Sequence, residues 1–111
     1  MSPVRSLDPR TRARTLAELR QLAARLAAEF PTEAVYAFGS FARGEEHEGS
    51  DIDLLIVGDI PGRMPERIGE VLRRTDLPVE PIVVSRASLQ RYLAEEHPFY
   101  TRAVKEGLRI W

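Results

Sequence analysis

Two short segments carry the residue types that phosphate chemistry requires. The first is Phe38-Gly39-Ser40-Phe41-Ala42-Arg43-Gly44; the second, beyond a short acidic loop, is Ser50-Asp51-Ile52-Asp53-Leu54-Leu55-Ile56-Val57. Glycine after an apolar run lets backbone approach a ligand closely, and N–H groups at the opening of a helical turn favour an anion. Ser40 adds a hydroxyl donor for a phosphate oxygen. Arg43, one turn later, offers a forked guanidinium that can hold the loop or meet a phosphate. In the second segment Asp51 and Asp53 stand two apart, so in a strand both carboxylates leave the same face, about 7 Å apart along the backbone. Unpaired acids at the head of an apolar strand are costly to bury, and the usual compensation is a hard cation such as magnesium, with its preference for oxygen ligands. The plain alternatives are an ordinary Gly-Ser turn and a pair of solvent-exposed aspartates.

A site for two metals needs another acid on a neighbouring strand. Val79-Glu80-Pro81-Ile82-Val83-Val84 is the third strand-like run, and Glu80 is its only acid. Glu80 could ligate the metal and help deprotonate an attacking hydroxyl, or it could be an edge-strand acid, since Pro81 cannot donate to a ladder and suits an edge or bulge.

These residues together resemble a known family. Gly39-Ser40, Asp51-x-Asp53 and a later strand acid are similar to the nucleotidyltransferase superfamily that includes DNA polymerase beta, and the short chain resembles its minimal nucleotidyltransferase members. The resemblance runs from about Val35 to Val84. It implies an α/β (α+β) nucleotidyltransferase fold, a small mixed β-sheet flanked by helices. It further implies two magnesium ions on Asp51, Asp53 and Glu80, with ATP or another nucleoside triphosphate bound through Gly39, Ser40 and Arg43. Where the family commonly has an aspartate followed by an apolar residue on the third strand, this chain has Glu80 followed by Pro81. Larger relatives carry a further helical domain that binds the acceptor, so the acceptor site is expected to come from another chain. For minimal members that implies a small helical HEPN-type partner, this chain acting as antitoxin by adenylylating it. Two rivals stand beside this reading: a nucleotidyltransferase-like module that neutralises a partner by contact alone, and a nucleotide sensor without turnover.

The elements that must position these residues can be read from pattern. Asp8 is a plausible N-cap before Pro9, opening a helix to about Phe30. Leu16, Leu19, Ala23, Leu26 and Phe30 form its apolar stripe, with Arg10, Arg12, Arg14, Arg20 and Arg25 on the other faces. Ala34 to Phe38 reads as the first strand, with Gly39-Ser40 at the first turn of a short helix. After the strand ending at Val57 comes a loop through Arg63, then a helix from Pro65 to Arg74 with Ile68, Val71 and Leu72 inward. Ser85 caps a helix containing Leu89, Tyr92 and Leu93, which His97-Pro98 ends or interrupts. Phe99 to Glu106 continues as helical turns closed by Gly107, and Leu108 to Trp111 reads as a short final strand. Tyr92, Phe99, Tyr100 and Trp111 could form an exposed partner surface but are expected in the core, and His47, which could touch substrate, in a solvated loop.

Composition bounds the rest. A chain of 111 residues with 43% hydrophobic residues suits one core and one domain spanning 1–111. A formal net charge of -1 argues against non-specific nucleic-acid binding. The lack of cysteine excludes disulfides, thiolate zinc sites and cysteine nucleophiles. No apolar run approaches membrane-spanning length and the first residues lack a signal-peptide core, so a cytoplasmic location is expected, with nucleotide and protein partners and a homo-oligomer left open.

Overall fold

The computed structural model describes residues 8–45 and 51–111; His47 and Ser50, singled out above, lie outside the described residues. The first helix, α1, runs Pro9–Glu29. Asp8 caps it, accepting from the N–H groups of Arg10 and Thr11 at 2.9 Å each, so two orphan donors of the first turn are satisfied locally. Leu19, Leu22, Ala23 and Leu26 are its buried residues. Leu16 and Phe30 pack at the margin; Leu22, which the predicted stripe omits, belongs at its centre.

Strands β1 (Thr32–Phe38) and β2 (Ile52–Gly58) pair antiparallel. Helix α2 (Met64–Leu72) returns the chain to β3 (Val79–Val84), which pairs parallel with β2. Helix α3 (Arg86–Ala94) follows, its first turn capped by Ser85, whose hydroxyl accepts from the Ser88 N–H at 3.1 Å. Helix α4 (Pro98–Glu106) begins at His97, whose imidazole Nδ1 accepts from the Phe99 N–H at 3.2 Å. The chain ends in β4 (Leu108–Arg109), antiparallel to β1. Beyond this two-residue ladder the N–H groups of Ile110 and Trp111 bond the Val35 carbonyl at 2.7 and 3.2 Å. The four strands lie in the order β3-β2-β1-β4, a mixed sheet with β3 at one edge.

The side-chain alternation of the strands divides the core in two. Val35, Ala37, Leu54, Ile56 and Val83 face α1 and α2. Ala34, Leu55, Val57 and Val84, with the half-buried Tyr36, Phe38 and Ile82, face α3 and α4. Both faces being covered explains why β2 reads as an almost continuous apolar run. It also fixes the register, because a one-residue slip would exchange the two cores.

Three expectations need correction. Gly39-Ser40 does not open a helix: residues 39–44 form a compact turn. Leu72 is 46% exposed, and Val71 alone is buried on α2, because a helix of nine residues against a sheet edge buries a narrow stripe. Phe99 and Trp111 are exposed at 37% and 43%, whereas Tyr92 and Tyr100 pack on the α3/α4 core as expected.

Candidate functional site at the carboxylate end of the sheet

Register brings the candidate acids together. Phe38 is paired with Asp53 across the antiparallel ladder, and Asp53 with Glu80 across the parallel one. Phe38, Asp53 and Glu80 therefore form one row across three strands. Asp53 has the same parity as Leu55 and Val57, which places the row on the α3/α4 face. Asp51 lies one residue ahead of β2, outside the strand in which both aspartates are expected, and is exposed.

Glu80 lies within hydrogen-bonding reach of both Asp51 and Asp53. The Glu80 carboxyl is raised above the ordinary carboxylate range, first by hydrogen bonding to Asp51, next by the charge of Asp51, then by the same two influences from Asp53, with a small contribution from burial. Like charges this close disfavour one another's ionisation, and a cation would relieve the repulsion. Among the described residues, no three Asp, Glu, His or Cys side chains are already arranged as a metal-binding group. The carboxylates are neighbours without a closed cage. In its chemistry an all-oxygen set of this kind would suit a hard cation that keeps several waters, such as magnesium, better than a softer metal.

Gly39 joins this row to the turn. Its φ is +70°, a conformation that costs most residues strain. A Cβ built there would stand 2.5 Å from Asp53 Oδ2, so the glycine backbone lies directly on the carboxylate. The turn is closed by N–H bonds from Arg43 to the Gly39 carbonyl (3.3 Å), Gly44 to Phe41 (3.2 Å) and Glu45 to Ser40 (2.9 Å). Buried Phe41 anchors it, with the Arg12 guanidinium 4.4 Å above its ring, linking the start of α1 to the turn. Arg43 Nε donates to Glu45 Oε2 at 2.9 Å, both side chains largely exposed, so this arginine ties the end of the loop.

A groove of about 410 Å³ opens beside the turn, between Gly39 to Arg43 and the α4 face bearing Phe99, Arg102 and Glu106. Sequence reasoning places Phe99 in the core and passes over Arg102 and Glu106. Their spacing of three and four marks one helix face, but which strand that face meets depends on packing of distant segments.

A family model described as nucleotidyltransferase domain matches residues 19–109. The chain belongs to the nucleotidyltransferase domain family. A solved structure from Sulfolobus solfataricus, provisionally described as a nucleotidyltransferase and determined at 1.40 Å, is 30% identical, covers 74% of this chain and 77% of its own, and superposes with a TM-score of 0.61. A second structure, a toxin-antitoxin with AMP-PNP, is 20% identical, covers 86% of this chain and 72% of its own, and gives 0.52; at that identity it speaks for the fold alone. A search of curated proteins gave no match. The four-stranded mixed sheet with helices on both faces is thus the fold of a nucleotidyltransferase domain. Among the described residues no helix is long and apolar enough to cross a membrane.

Proposed function

We propose that this nucleotidyltransferase transfers a nucleoside monophosphate, AMP from ATP, to a hydroxyl of a partner protein, with residues 1–111 acting as one minimal domain. The observation that carries the reading is the approach of Glu80 to both Asp51 and Asp53, beside a glycine whose backbone lies on the Asp53 carboxylate. Asp51, Asp53 and Glu80 would hold two magnesium ions, and Gly39, Ser40 and Arg43 would receive the triphosphate. When bound, magnesium neutralises charge on the phosphate oxygens and favours the ionised acceptor hydroxyl.

The protein's own groups orient the reaction. The turn fixes the polyphosphate, and the acid row fixes the α-phosphorus beside it. An acceptor oxygen forms a bond to the α-phosphorus as the bond to pyrophosphate breaks in line. Glu80, at the far end of the row from the turn, takes the hydroxyl proton.

The protein acceptor is the finer part of the proposal. Resemblance to minimal nucleotidyltransferases supports a small helical HEPN-type partner in the cytoplasm, and a toxin-antitoxin among the structures of similar fold is in keeping with an antitoxin role. The rival reading, neutralisation by contact alone, is favoured by Glu80-Pro81 and by the open arrangement of the acids.

The test is incubation with α-labelled ATP, magnesium and a small helical HEPN-type protein as candidate acceptor, with an Asp51→Asn, Asp53→Asn double variant as control. Label on the acceptor that vanishes with the double variant supports transfer. An intact but unlabelled complex supports the contact-only module.

A further inference from the structure

We propose that the groove between the Gly39 to Arg43 turn and α4 receives the nucleoside part of the nucleotide, the base lying against Phe99 and the sugar or base edge meeting Arg102 and Glu106. This rests on the nucleotidyl-transfer reading and extends it to the half of the substrate that does no chemistry.

Continuity argues first. Gly39 and Arg43 belong both to the turn proposed for the phosphates and to the wall of the groove. A nucleotide whose phosphates lie on the turn therefore has the groove within reach of its sugar. The volume, about 410 Å³, falls in the range of pockets that enclose small organic ligands, roughly 300–1,000 Å³.

The surface chemistry agrees. Phe99 is more than one-third exposed although it sits on a helix that otherwise packs on the sheet. Its ring is held by edge-to-face contacts with Phe38 at 5.4 Å and Tyr100 at 5.0 Å. An aromatic ring fixed by its neighbours and open on one side is a stacking platform for a flat base. At the rim, Arg102 Nε lies 3.6 Å from Glu106 Oε2, one turn apart, and both side chains are well exposed. Arg102 offers donors and Glu106 acceptors, which suits hydroxyls and the edge of a base.

In-line geometry decides between nucleoside and acceptor as occupant. With pyrophosphate leaving toward the turn after β1, the acceptor must approach from the opposite side of the α-phosphorus. The strand order puts β3, with Glu80, on that opposite side, while α4 packs on β1. The groove thus lies on the leaving-group side of the acid row, where an attacking hydroxyl cannot enter.

The experiment measures binding of ATP and of inorganic tripolyphosphate, each with magnesium, to the full chain by calorimetry. Wild type, Phe99→Ala, Arg102→Ala and the Asp51→Asn, Asp53→Asn double variant are compared, with melting curves to show that each is folded. The wild type should bind ATP more tightly than tripolyphosphate. Phe99→Ala should weaken ATP about tenfold and leave tripolyphosphate unchanged. Arg102→Ala, a change on the exposed rim, should give the same pattern with a smaller loss. Equal affinity of the wild type for both probes, or unchanged ATP affinity in both groove variants, overturns the inference. If ATP binding is then still lost in the double aspartate variant, the nucleotidyl-transfer reading stands without it. Absence of ATP binding in the wild type overturns both.

Discussion

Two charge clusters in this domain are built on opposite principles. On the α1/α2 side, the Arg74 guanidinium lies between the carboxylates of Glu29 and Glu70, bonds the Glu70 carbonyl and covers the Phe30 ring at 5.1 Å. Its partners raise its affinity for the proton, Glu29 foremost. Arg25 adds a bond to the Arg74 carbonyl at 3.0 Å. Across the sheet, Asp51, Asp53 and Glu80 meet with one sign of charge and raise the Glu80 carboxyl against ionisation. The first cluster is complete in the protein alone and ties α1 to the chain beyond α2. The second sets like charges against one another with no partner of opposite sign among the described residues around Glu80, and an arrangement of that kind is a candidate for a site.

The contrast breaks most sharply at Asp53. Asp53→Asn should reduce nucleotidyl transfer at least about a thousandfold. Without magnesium, the same change should raise the melting temperature by about 2–4 °C, because it removes one of the crowded charges. Loss of activity together with loss of stability would show that the acids are structural. Added magnesium should stabilise the wild type and leave the Asp51→Asn, Asp53→Asn double variant unmoved, as a thermal shift measurement reads.

Gly39→Ala sharpens the comparison from the other side. The new Cβ would meet Asp53 Oδ2 at 2.5 Å in a backbone of φ +70°. The carboxylate can swing away, so the fold should survive with a loss of about 1 kcal/mol from the strained φ. Transfer should fall about tenfold to a hundredfold, because the displaced carboxylate is the one proposed to position metal and phosphate. A folded variant with full activity would remove Gly39 from the site.

Arg74→Ala tests the complete cluster. It should lower stability by about 1–2 kcal/mol in a denaturant titration, through lost ion pairs and lost cover over Phe30, and leave kcat and nucleotide affinity near wild type. Loss of transfer in a folded Arg74→Ala protein would mean that the two clusters communicate.

Legibility in the sequence followed locality. The N-caps at Asp8 and Ser85, the strand around Ala34 to Phe38 and the edge position of Glu80-Pro81 each rest on a few adjacent residues and appear where pattern puts them, whereas Asp51 falls just ahead of the strand that holds Asp53. The turn at Gly39 did not follow its pattern. Glycine at φ +70° makes the chain turn sharply, and bonds from Arg43, Gly44 and Glu45 close it before a helix can propagate. The row of Phe38, Asp53 and Glu80 is a matter of register between three strands, and the groove depends on where α4 lands. Neither is a property of any one segment. Leu72 shows the same limit: its helical spacing is right, but too little partner surface reaches it.

Asp8 provides the smallest test, and the sign of its pH dependence runs against that of crowded acids. Its carboxylate accepts from the N–H groups of Thr11 and Arg10, and the Thr11 hydroxyl donates to it at 3.2 Å. The Thr11 N–H is the leading reason its carboxyl is held below the ordinary 3.8. A depressed folded value means that the native state binds fewer protons than the unfolded chain within that window. The stabilisation is therefore present above the ordinary value and is lost as pH falls through the lowered one. Asp8→Ala should lower the melting temperature slightly near neutrality, and the difference from wild type should shrink to nothing in acid below the lowered value. Asp8→Asn separates cap from charge: its amide oxygen can still accept from the first turn, so it should keep most of the neutral-pH stability while losing the acid dependence. A wild-type advantage that persists unchanged in strong acid would mean that the start of α1 is held by something other than this carboxylate.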